Sequence, residues 1–136
     1  MNTVDGPPYP SAMPEASLPL TTERMLEEAQ AGLASGQTSA VCALCCAIVE
    51  VTVRDICVRR ELLPKGQSRL SDLEEIPFAT LCRKVASGRR LGHLVDIHRE
   101  ATALLHGKKL MDSDGAQWLF DETLRLVQDL YRANDL

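Results

Sequence analysis

One segment constrains the fold of this chain more than any other. From Thr38 to Leu63 an apolar pattern runs for more than twenty residues before Pro64 and Gly66 close it. Val41, Leu44, Cys45, Ile48, Val49, Thr52 and Ile56 recur along it at helical spacing. The stretch Ile48-Val49-Glu50-Val51-Thr52-Val53 is β-branched and partly alternates, as a strand would. A strand is typically only about 3–10 residues long, so the length of the uninterrupted pattern selects helix.

The flanking segments repeat that signature. Thr21 or Thr22 is an expected N-cap for a helix carrying Met25, Leu26, Ala29 and Leu33, with Gly36 just past its end. Ser71 and Glu74 have the spacing of a capping box. Pro77 restarts that segment, and Phe78, Leu81, Cys82 and Val85 carry it to a stop at Gly88. Leu91, Leu94, Val95, Ala101, Leu104 and Leu105 define a further helix ended by Gly107, with the two last leucines expected to face the core. Ser113 is expected to cap a final helix in which Phe120, Leu124, Val127 and Tyr131 recur. No strand–turn–strand signal interrupts the series, so the expected fold is all-α, an up-and-down bundle of four or five helices over residues 21–136. Residues 1–20 hold Gly6, Pro7, Pro8, Pro10, Pro14 and Pro19 and are expected to form a disordered Pro-rich arm.

Aromatic residues make up only 4% of a chain that is 45% hydrophobic, so the core must be built from Leu, Val, Ala, Ile and Cys. Trp118, Phe120 and Tyr131 read as core or dimer anchors. The five cysteines come without a secretory signal and are expected to be free thiols. Cys42, Cys45 and Cys46 lie inside an apolar helix with no second ligand pair, so they read as packing residues and no metal is expected. No apolar run is long enough to span a bilayer, and a cytoplasmic location is the expectation.

The net charge of −4 argues against a general nucleic-acid coat protein. Its distribution is uneven. Between Arg83 and Lys109 there are seven basic residues against two acidic ones, a local +5 that leaves −9 on the remainder. His93, His98 and His106 all lie in this island, which can steer a polyanion to one place.

Within the island, Arg99 and His106 are the candidate catalytic pair. Seven residues are close to two helical turns, so both side chains fall on one face, about 10.5 Å apart along the axis. Arg99 is a permanent cation suited to phosphate oxygens. His106 can donate or accept a proton near neutrality. Asp96 lies on the same stripe, and Thr102 between the pair is small enough to let a nucleic-acid backbone approach. His93 and His98 fall off the stripe. Glu50, in the most apolar part of the chain, reads either as an ion pair with Arg54 or as a buried acid that orients a group on a neighbouring helix. Lys108 and Lys109 extend the basic island beyond His106.

From about Met25 to Tyr131 the chain resembles the HEPN superfamily of small helical bundles. Glu28-Ala29 through Leu33-Ala34-Ser35-Gly36 is similar to the first helix of that superfamily, and Ala40 to Arg60, with Glu50 and Ile56-Cys57, to its second. Arg99 and His106 match its Arg–x(4–6)–His motif, and Ser113 to Leu130 resembles its closing helix. Glu100 stands where the family commonly has Asn, Asp or His. The resemblance implies a metal-independent ribonuclease without cofactors, with a site shared between the protomers of a homodimer. Arg99 and His106 would be catalytic, with Glu50, Asp96, Glu100, Thr102, Lys108 and Lys109 around them. It also implies RNA as substrate and an antitoxin or defence-system protein as partner. The alternative expectation is a catalytically silent dimerisation or adaptor module.

Overall fold

The computed structural model describes residues 18–63, 76–107 and 110–136. Most of the expected arm and the Ser71–Glu74 capping box lie outside the described residues. The fold is an all-α bundle: α1 (Leu20–Ala34), α2 (Thr38–Arg59), α3 (Phe78–Val85), α4 (Gly88–Leu105) and α5 (Ser113–Ala133). The β-branched run Ile48–Val53 is helical, in the middle of α2.

α2 is the axis of the bundle and packs against each of the other four helices. Its sequence explains this. Ten of its residues are buried, from Val41 to Cys57, and they are spread too widely around the helix to face a single neighbour. The core around it is aliphatic and thiol-rich. Tyr131 is fully buried, Phe120 nearly so, while Trp118 remains 49% exposed.

Several helix ends differ from the sequence expectation. α1 starts two residues early, because Pro19 in extended conformation acts as its N-cap and accepts from the Glu23 amide at 3.0 Å; Thr22 is buried within the helix. α2 stops at Arg59 rather than running to Leu63. Glu61 adopts a left-handed φ of 53°, its amide bonds to the Val58 carbonyl at 3.1 Å and that of Leu62 to Cys57 at 2.9 Å. These two bonds satisfy the last carbonyls and end the helix without a glycine. Gly88 opens α4 instead of closing the preceding helix: Ala86 and Ser87 are both extended, and the φ of 59° at Gly88 turns the chain into the next helix. The cap of α5 is Asp112, whose side chain accepts from the Gly115 amide at 2.8 Å, one residue before the expected Ser113.

Polar contacts tie the helices together. Arg90 on α4 meets Asp129 on α5 at 2.7 Å. Asn134 donates to the Val85 and Leu130 carbonyls at 3.1 and 2.8 Å. No described helix is long and apolar enough to cross a membrane.

Candidate functional site

The site is built on α4, whose buried residues Leu94, Ile97 and Ala101 anchor one face to the bundle. On another face, Arg99, Thr102, Ala103 and His106 occupy positions i, i+3, i+4 and i+7, which is one stripe along the helix. Arg99 is 75% exposed, and its contact with the equally exposed Asp96 spans 3.9 Å. Such a pair holds its partners weakly, so the guanidinium is available to an anion. His106 is exposed at the C-cap, and its backbone amide bonds to the Thr102 carbonyl at 3.0 Å. Leu105 beside it is 50% exposed rather than core-facing, whereas Leu104 in the same turn packs against the core. Glu100 is half-buried, and Lys108 and Lys109 lie outside the described residues.

α3 and α4 enclose an open cavity of about 540 Å³. α3 supplies Phe78, Ala79 and Cys82. α4 supplies Val95 and Ala103 together with three polar residues, His98, Arg99 and Thr102. Arg99 therefore belongs both to the exposed stripe and to the cavity.

His98 is the residue the sequence undervalued. Its Nε2 lies 2.8 Å from Oε2 of Glu50 on α2, and its ring packs at 4.4 Å on Phe78, tilted by 40°. Arg54 stands 3.6 Å from the other Glu50 oxygen and 5.8 Å above the Phe78 ring. Glu50 thus makes the ion pair with Arg54 and also meets a group on a neighbouring helix, but as a half-buried rather than a buried acid. Thr102 donates to the His98 carbonyl at 2.7 Å, and its hydroxyl lies 3.7 Å from Cys46 Sγ. Cys46, Glu50 and His98 place their donor atoms within 4.8 Å of one another, the one group among the described residues with metal-ligating potential. Nothing in the spacing of the chain announces it, since it joins two residues of α2 to one 48 positions away.

His93, by contrast, turns toward α5 and pairs with Glu122 at 3.0 Å. Cys42 and Cys45 are buried, and burial raises both thiols, that of Cys45 to about 12. Both carry packing, consistent with their place in an apolar helix.

No family model matches the chain, and comparison with curated proteins and with solved structures returns no significant match. The fold and site define an all-α helical bundle with a polar-floored cavity beside an exposed Arg/His stripe.

Proposed function

We propose that the protein is a metal-independent ribonuclease of HEPN type, with Arg99 and His106 acting across a homodimer interface. The observation that supports this best is their placement: both are exposed, on one stripe at the end of α4, and among the described residues neither is held by a strong partner. A catalytic pair must reach the substrate, and a pair locked into the core could not.

The chemistry divides between the two types of residue. His106 acts as general base toward the 2′-hydroxyl, whose oxygen attacks phosphorus as its proton leaves. The 5′-oxygen departs with a proton from an acid, a role that the second His106 fills across a two-fold axis. Arg99 binds the non-bridging oxygens and stabilises the charge that builds on them. The products are a 2′,3′-cyclic phosphate and a 5′-hydroxyl. Arg83 and Arg89, both exposed, add to the positive charge of the same sequence island, which would help guide the polyanion in. An unrestrained nuclease of this kind is toxic, so a toxin or defence setting with a restraining protein partner fits it.

A second reading rests on a different observation. Leu105, Leu110 and Trp118, 50%, 100% and 49% exposed, leave apolar surface around the α4–α5 connection. Such surface serves the homodimer in the first reading, and a protein partner in a silent adaptor. Incubation of purified protein with total RNA in EDTA separates the two. Cleavage lost in His106→Ala supports the enzyme; intact RNA throughout, with stable capture of a partner through Trp118, supports the adaptor.

A further inference from the structure

The cluster beside the cavity does nothing in the ribonuclease chemistry. Cys46 and Glu50 are four apart on α2, hence on one face, and His98 meets them from α4. Cys46 Sγ lies 3.6 Å from Glu50 Oε2, and His98 Nε2 lies 2.8 Å from the same oxygen. A sulfur, a nitrogen and an oxygen therefore lie within 4.8 Å of one another.

We propose that Cys46, Glu50 and His98 bind zinc, or a divalent transition metal of similar character. Tetrahedral zinc, with bonds of about 2.0–2.3 Å, sets its donors about 3.3–3.6 Å apart. The sulfur–oxygen distance already matches. The nitrogen–oxygen distance has to open by about half an ångström, within reach of small side-chain rotations around an ion of this size. Charge balances as well. A thiolate, a carboxylate and a neutral imidazole together neutralise a divalent cation. The thiol proton passes to solvent as the metal–sulfur bond forms.

The surroundings supply what a metal site needs beyond its ligands. Arg54 faces Oε1 of Glu50 at 3.6 Å and leaves Oε2 for the metal, so the carboxylate is oriented from behind. Phe78 packs on the imidazole and limits its rotation. His98 and Thr102 also line the cavity, so the nitrogen ligand is reachable from solvent, while Cys46 and Glu50 lie behind it. This departs from the expectation that the chain holds no metal and that its cysteines only pack, because that expectation considered the cysteines without a carboxylate and an imidazole brought in by another helix.

Cobalt is the probe, because a thiolate ligand gives it an intense near-ultraviolet charge-transfer absorption. The full chain, purified with chelator and then freed of it, is titrated with cobalt, and zinc is measured by displacement. One metal per chain is expected, with the absorption lost in Cys46→Ser and retained in Cys42→Ser and Cys45→Ser. Since Cys46 is buried, His98→Gln provides a second variant at a half-exposed position. It should weaken zinc binding by more than the about 10–100-fold that outer-shell changes produce. Circular dichroism establishes that each variant is folded. Absence of stoichiometric binding by the wild type overturns the proposal. So does an absorption that persists in folded Cys46→Ser, or unchanged affinity in folded His98→Gln.

Discussion

The Tyr131 hydroxyl donates a 2.6 Å hydrogen bond to Oδ2 of Asp55, joining α5 to α2. Tyr131 is fully buried, and burial, followed by the Asp55 carboxylate that accepts its hydrogen bond, raises the phenol well above its ordinary value. The raised phenol keeps its proton at neutral pH and so remains a donor there. Asp55 also receives Arg59 at 3.3 Å and keeps some exposure. Removing the hydroxyl leaves that carboxylate partly compensated, so Tyr131→Phe should cost about 1–2 kcal/mol. Urea unfolding of the two proteins checks this; an unchanged midpoint would show that Arg59 and water replace the bond in full.

The buried thiols make stability fall on the alkaline side. Burial lifts Cys45 to about 12 and Cys57 and Cys82 to about 11, from an ordinary value of 9.0. In the unfolded chain these thiols ionise near pH 9, while in the folded chain they hold their protons to about pH 11 or higher. Between those limits the folded state binds more protons, so the stability present below pH 9 is lost as pH rises toward pH 11–12. The urea midpoint should drop over this range, and Cys57→Ala should drop less steeply. At neutral pH an alkylating reagent should modify the five buried cysteines slowly, and quickly once denaturant is added.

The helical elements were legible because their signal is local. Twenty-two residues of apolar periodicity in α2 outweigh the β preference of Ile48–Val53, and the ends at Gly36 and Gly107 follow from glycine's tolerance of positive φ. The end of α2 was not legible, since Glu61 takes a left-handed conformation that its side chain does not advertise. Packing of Leu62 against the core accompanies that turn. Arg99 and His106 could be placed on one stripe by counting along a single helix. His98 could not be placed against Glu50, because its partner comes from another helix and only the packing angle of α2 on α4 brings the two together.

Association is the next expectation. The composite site proposed above would require two copies, and Leu105 lies exposed next to His106. Light scattering at micromolar concentration should return twice the mass of one chain. Leu105→Glu, at a half-exposed position, should leave the fold intact and give single chains, because a charge facing its own symmetry mate is repelled. A single-chain mass for the wild type across this range removes the shared site. A dimer that persists in Leu105→Glu moves the interface away from the end of α4.

Cleavage itself tests the roles of the stripe. His106→Ala should lower RNA cleavage by about 10²–10⁴-fold, the usual contribution of a general acid or base. Arg99→Ala should do the same, and Arg99→Lys should recover little, because a lysine cannot present a bidentate fork to phosphate. Both residues are exposed, so their melting curves should match the wild type. His93→Ala should retain activity and lose only the modest stability supplied by Glu122. The reaction should proceed in EDTA, leave 2′,3′-cyclic phosphate and 5′-hydroxyl ends, and spare DNA of the same sequence, which lacks the attacking 2′-oxygen. Cleavage that survives both alanine variants would place the chemistry elsewhere. Cleavage of DNA at a comparable rate would exclude attack by the 2′-hydroxyl, and with it the roles assigned to Arg99 and His106.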